Sequence, residues 1–100
     1  MGSAAEMAFT ARFHVHPEFV GAAKEALRAR IPETQEEEGC IGIRAINSLR
    51  DPQLFIIQSD WVDEAAFDVH AQLPRTIEFV GNMEKMVDQP IEFTRARVFA

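Results

Sequence analysis

Residues 40–61 read Cys-Ile-Gly-Ile-Arg-Ala-Ile-Asn-Ser-Leu-Arg-Asp-Pro-Gln-Leu-Phe-Ile-Ile-Gln-Ser-Asp-Trp. Two runs rich in isoleucine and aromatic side chains, 40–49 and 54–61, flank Arg50-Asp51-Pro52-Gln53. β-Branched and aromatic side chains fit a pleated surface, while Asp and Pro supply turn geometry at the centre. The segment therefore reads as an antiparallel hairpin, and the rest of the chain must fold around it.

On the N-terminal side, residues 8–15 alternate, with Phe9, Ala11, Phe13 and Val15 on one side and Thr10, Arg12 and His14 on the other. A period of two marks another strand. Pro17 then opens a helix, and Glu18 follows in its positive first turn. Val20, Ala23, Leu27, Ile31 and Thr34 recur at helical spacing. Pro32 has no amide proton and its ring crowds the preceding turn, which predicts a bend or break between Arg28 and Pro32 and a last turn reaching Glu37. Gly39 is a natural stop.

On the C-terminal side, Asp63 is placed to cap a helix running to about Gln72, with Val62 and Phe67 as a hydrophobic staple. Pro74 starts a further helix carrying Ile77, Val80, Met83 and Val87, and Gln89-Pro90 ends it. Residues 91–99 alternate again as a fourth strand. The order βαββααβ makes one α+β domain over residues 8–100, with residues 1–7 a disordered tail or a cloning remnant. Right-handed crossovers put strands one and three in the middle of a four-stranded antiparallel sheet, with helices on one face. Apolar residues stand on both sides of the strands: Leu54 and Ile56 against Phe55, Ile57 and Trp61, and Ile46 against Ile41 and Ile43. Both faces then need cover, and three helices supply only one. A homodimer packed sheet to sheet supplies the other.

Composition sets several classes of function aside. One hundred residues suit one domain, and 47% hydrophobic residues with 8 Phe are ample for a core. A net charge of -6 repels phosphate backbones, which excludes nucleic acid as a natural partner. No basic cluster is present to hold an anionic membrane surface, and the apolar runs fall far short of the roughly 20 residues that span a bilayer. The lone Cys40 excludes an internal disulfide and suits a reducing cytoplasm. No glycine-rich phosphate loop, zinc-ligand spacing or nucleophile elbow occurs, so neither cofactor nor metal is expected.

Four stretches taken together resemble the antibiotic-biosynthesis-monooxygenase family of dimeric α+β barrels. They are Glu37-Glu38-Gly39-Cys40-Ile41, Asp51-Pro52-Gln53-Leu54-Phe55, Trp61-Val62-Asp63-Glu64-Ala65-Ala66-Phe67, and His70. The resemblance spans residues 8–99. It implies a ferredoxin-like fold, a dimer with facing sheets, and a pocket between sheet and helices in each subunit. Members include cofactor-independent oxygenases of aromatic polyketides and quinols, haem-degrading proteins and isomerases. The family often has Glu two residues before the Trp, where this chain has Ser59, and Glu-Pro-Gly-Cys where this chain has Glu37-Glu38-Gly39-Cys40.

Oxygenation without a cofactor needs an apolar ring site, a base for a phenolic or enolic proton, a donor for the resulting anion, and exclusion of water. His70 shares a helical face with Ala66 and Phe67. It is the candidate base or ligand hydrogen-bond donor, or else a structural histidine, since imidazole titrates near neutrality. Trp61 and Phe67 are candidates to hold the ring, Trp61 being equally readable as a core aromatic. Arg12, His14 and Arg44 would sit near a substrate oxyanion if their strand face lines the pocket, and on a solvated face otherwise. Cys40 reads as a small buried hydrophobe, and the run Glu36-Glu37-Glu38 as a solvated helix end. The leading expectation is a cofactor-independent monooxygenase of a small aromatic, quinol or polyphenolic substrate. The alternatives are a dimeric module that binds a small hydrophobic molecule without turnover, and an isomerase of a small carbonyl compound.

Overall fold

The computed structural model describes residues 5–100. Strand β1 (Met7–His14) leads through a 3-10 turn (Pro17–Phe19) into helix α1 (Val20–Gln35). Then come β2 (Cys40–Asn47), β3 (Leu54–Trp61), α2 (Glu64–Gln72), α3 (Pro74–Glu84) and β4 (Glu92–Arg97). The sheet order is β2-β3-β1-β4 and every pairing is antiparallel, so β1 and β3 are central as expected. This is the ferredoxin-like α+β fold.

Several details differ from the sequence reading: α3 ends at Glu84, short of Val87, which instead bridges to Val15, β2 ends at Asn47 and β4 spans only Glu92–Arg97. The expected tail begins its structure early: Met7 belongs to β1, the Glu6 amide donates to the Trp61 carbonyl, and the Val98 amide donates to the Glu6 carbonyl. Residues 1–4 lie outside the described residues. Helix α1 does not break at Pro32 but continues to Gln35. Pro32 and Arg28 are both exposed, so the carbonyl that loses an amide partner faces solvent, where water can replace it. On α3, Ile77 is 60% exposed rather than inward. The inward stripe is Thr76, Phe79, Val80 and Met83, whose spacing of three, four and seven keeps them on one face and leaves Ile77 on the flank.

The β1 register puts Met7, Phe9, Ala11 and Phe13 opposite Trp61, Ser59, Ile57 and Phe55 of β3, all on the helix side. Two apolar clusters form there. Phe13, Val15, Leu27, Phe55 and Met83 make one, and Met7, Trp61 and Phe67 the other. The opposite face is more mixed than the sequence reading has it. Leu54, Ile56 and Ile46 alternate there with Thr10, Arg12, His14, Arg44 and Gln58.

Helix α2 is fixed at its start by Asp63, whose carboxylate accepts the Ala66 amide at 2.8 Å. Asp63→Ala is expected to cost about 1 kcal/mol. In a domain of this size that lowers Tm by about 4–8 °C in a thermal melt followed by circular dichroism. An unchanged Tm would show that the cap contributes nothing.

Candidate functional site

A cavity of about 520 Å³ lies between the helices and the sheet. Its sheet wall carries Phe9, Ala11 and Phe13 of β1, Ile57 and Ser59 of β3, Ile43 of β2, and Phe93 and Arg95 of β4. Since β2 and β4 are opposite sheet edges, this wall crosses three strand spacings, about 14 Å. Arg30, Ile31 and Thr34 of α1, the Thr76–Met83 stripe of α3, and Phe67, His70 and Ala71 of α2 complete it. The size and the aromatic, mostly apolar lining suit a small planar ligand.

His70 is the polar group whose surroundings are most specifically built. Its Nδ1 lies 2.7 Å from Glu37 Oε1, and Arg75 Nη2 donates to Glu37 Oε2 at 2.9 Å. The Glu37 side chain is only 9% exposed. A carboxylate held by a guanidinium is an acceptor only, so Nδ1 donates to it, and in the neutral form of the ring Nε2 is the nitrogen with the lone pair. The ring is further fixed by packing, with the Trp61 ring centroid at 4.9 Å and that of Phe67 at 5.5 Å. An oriented imidazole with a free ring nitrogen, set in the wall of an apolar cavity, has the form of a general base.

The structure brings His70 and Phe67 together in the cavity wall. Trp61 is placed elsewhere: it is fully enclosed, and the cavity wall does not include it. Its Nε1 donates to Ser59 Oγ at 3.0 Å, and its rings back Phe67 and His70. Ser59, where the family often has Glu, is thus the partner that satisfies a buried indole. Arg12, His14 and Arg44 are on the opposite face of the sheet, because the two-residue period of β1 and β2 turns them away from the helices. Arg12 pairs with Glu92 at 3.1 Å and Arg44 Nε donates to Gln58 at 2.8 Å. The only arginine of β4 in the cavity wall is Arg95, which sits 4.9 Å above the Phe67 ring and pairs with Asp68 and Glu64. Those carboxylates, Asp68 foremost, hold its pKa above the ordinary value.

Sequence reasoning missed Glu37, which is not a solvated helix end, and it passed over Arg30, Thr76 and Arg95. The signal for Glu37 was Gly39. Gly39 turns the chain at φ +85° against Ala66, and Ala66 lies one helical turn before His70. Cys40 is half-buried beside Trp61, and burial, with Glu37 adding to it, pushes its thiol up to about 11. That keeps it protonated and a poor nucleophile.

His14 instead bridges two carboxylates, with Nδ1 2.9 Å from Asp88 and Nε2 2.9 Å from Asp51. Asp88 first, and Asp51 after it, raise the His14 pKa above 6.5, and His14 lowers that of Asp88 below 3.8. Both shifts describe one attraction seen from its two ends. The His14 share is complete below pH 6.5 and fades as pH rises through the raised folded value. The Asp88 share is complete above pH 3.8 and fades as pH falls through its lowered value. The stability difference between the wild-type chain and His14→Gln should therefore be greatest in the window between 3.8 and 6.5 and shrink above it. Urea titrations across that range check this, and a difference that grows with pH would contradict it.

Residues 7–81 match the family model described as antibiotic biosynthesis monooxygenase. No curated protein sequence gives a significant match. Among solved structures, a conserved protein from Methanosarcina mazei Go1 superposes with a TM-score of 0.88 at 26% identity, covering 95% of this chain and 94% of that one. A Mycobacterium tuberculosis protein gives 0.88 at 21% identity, with 96% and 97% covered. A structure described as an antibiotic biosynthesis monooxygenase gives 0.87 at 19% identity, with 94% and 99% covered.

Proposed function

Since the chain belongs to the antibiotic biosynthesis monooxygenase family, we propose that it is a cofactor-independent monooxygenase of a small aromatic, quinol-type or polyphenolic compound. The observation that carries this reading is the Glu37–His70 hydrogen bond in the wall of an aromatic-lined cavity. His70 Nε2 takes the proton from a ring hydroxyl or an acidic ring methylene. Phe67 and Phe9, packed on each other with centroids 4.3 Å apart, form one aromatic wall against the ring, and the apolar lining excludes water. The anion hands an electron to O2, which a neutral closed-shell ring does poorly. For a ring methylene the balance is CH2 + O2 giving C=O + H2O, so the substrate supplies all four electrons. The imidazolium returns its proton to the peroxide as the O–O bond breaks. Trp61 acts in this scheme by holding His70.

Oxygen uptake by the purified protein against quinols, anthrones and flavonols, with a metal chelator present, tests the reading. Chelator-resistant uptake proportional to protein is expected. No uptake across the panel, with ligands still raising Tm, would overturn it in favour of a binding module. Product formed under argon would point to an isomerase.

The same reading includes a homodimer in the cytoplasm, two copies meeting through the helix-free face of the sheet. On that face Ile46 is 38% exposed and Val98 42%, and every residue of β4 is exposed in the single chain. Light scattering at low micromolar concentration should give twice 11.3 kDa. A monomer mass would remove the dimer.

No helix among the described residues is long and apolar enough to cross a membrane.

A further inference from the structure

Three buried polar atoms among the described residues have no hydrogen-bond partner: Thr34 Oγ1, Thr76 Oγ1 and Arg30 Nε. All three residues line the same cavity. A buried polar group without a partner is costly, and three of them in residues that line one cavity need a cause. Thr34 is 1% exposed, so solvent does not satisfy it. Arg30 and Thr34 stand one helical turn apart on α1, and Thr76 belongs to the inward stripe of α3. The guanidinium is already anchored, with Nη1 3.4 Å from Glu33 and Cζ 5.8 Å from the Phe79 ring centroid. The two hydroxyl oxygens are shielded from the cavity in this arrangement, but helical threonine populates two χ1 rotamers, and a turn about that bond exchanges methyl and hydroxyl.

Resting on the cavity reading above, we propose that this part of the wall is a second recognition subsite. Through the Thr34 and Thr76 hydroxyls, each turned about its χ1 bond toward the cavity, it takes a hydrogen-bond-accepting oxygen carried by the ligand away from the group that His70 deprotonates. Helix α1 packs over β2, whereas the Arg95–Phe67 stack belongs to β4 and α2, so the cavity's polar groups are spread across its width. The substrate class is then a ring system oxygenated at two separated positions. A singly oxygenated ring leaves both hydroxyls unpaired. The accepting oxygen is either a neutral hydroxyl or carbonyl, or a carboxylate.

The test is calorimetric binding under argon, which removes turnover from the readout. The probes are 1-naphthol, 1,5-dihydroxynaphthalene and 5-hydroxy-1-naphthoic acid. The second oxygen is expected to tighten binding about tenfold relative to 1-naphthol, as pairing one buried polar group does. A larger gain for the acid identifies the carboxylate form, and equal gains identify the neutral one. Thr34→Val with Thr76→Val, which keeps volume, should bring that ratio to within about twofold, and the two Ser variants should keep it. No gain in the wild-type chain, a gain that survives the double Val variant, or failure of every probe to bind overturns the subsite. Intact discrimination with no oxygen uptake by any probe keeps the subsite and removes only the oxygenase reading.

Discussion

His70→Ala is expected to lower kcat for oxygen uptake by about 10²–10⁴-fold, the range that a positioned base contributes. The loss should fall on kcat more than on KM, because the imidazole contributes to the ring's binding only through one edge while the proton leaves only in the reacting complex. Added imidazole should restore part of the rate, since the truncation leaves space in a wall that already faces the cavity. Glu37→Gln tests the orienting role separately. The amide oxygen can still accept from Nδ1, but the charge that stabilises the imidazolium is gone, and Arg75 loses its ion-pair partner. A smaller kcat loss than for His70→Ala is expected, with an unchanged fold by circular dichroism. If His70→Ala turns over at the wild-type rate, the base is elsewhere.

The contrast between Glu37 and His70 marks where sequence reading stops. Alternation in residues 8–15, the Asp51-Pro52 turn and the Asp63 cap are local signals, set by neighbours two to four positions away. The sheet order, the hairpin and α2 follow from them. His70 and Phe67 were legible because α2 is short and regular and one helical turn fixes which side faces the sheet. Glu37 was not, because its contact with His70 joins residues 33 positions apart and depends on the turn at Gly39. Its neighbours Glu36 and Glu38 carry the same charge, so charge alone does not set it apart, and Gly39 marks only where the chain turns. Trp61 shows the reverse. Its strand face is legible, yet whether an aromatic on that face meets a ligand or another side chain depends on Ser59, Phe67 and His70 closing over it. For Arg12, His14 and Arg44 the alternation did carry the answer once β1 was known to bury Phe13 and Ala11. Their side is the one without helices.

Gly39→Ala should be the most damaging single substitution outside the core, and it acts on stability and site together. At φ +85° a residue with a Cβ is strained by about 1–3 kcal/mol. The added Cβ would also stand 2.5 Å from Ala66 Cβ and 3.2 Å from Val62 Cγ2. Ala66 cannot yield by changing rotamer, so α2 must move, at a further cost of about 1–3 kcal/mol. A total of roughly 2–6 kcal/mol is a large share of the 5–15 kcal/mol that holds a small domain together. At about 4–8 °C per kcal/mol, Tm should fall by at least about 8 °C. Ala66→Gly in the same chain removes the clash but leaves the backbone strain, so the double variant should recover part of the loss and no more. Because Ala66 and His70 lie one turn apart on α2, the shift that relieves the clash also pulls His70 from Glu37. Oxygen uptake per folded molecule should therefore fall in Gly39→Ala well below the wild-type value, and return in the double variant. A Gly39→Ala protein that melts and turns over like the wild type would mean that the turn accepts a Cβ, and that the Glu37–His70 contact does not depend on it.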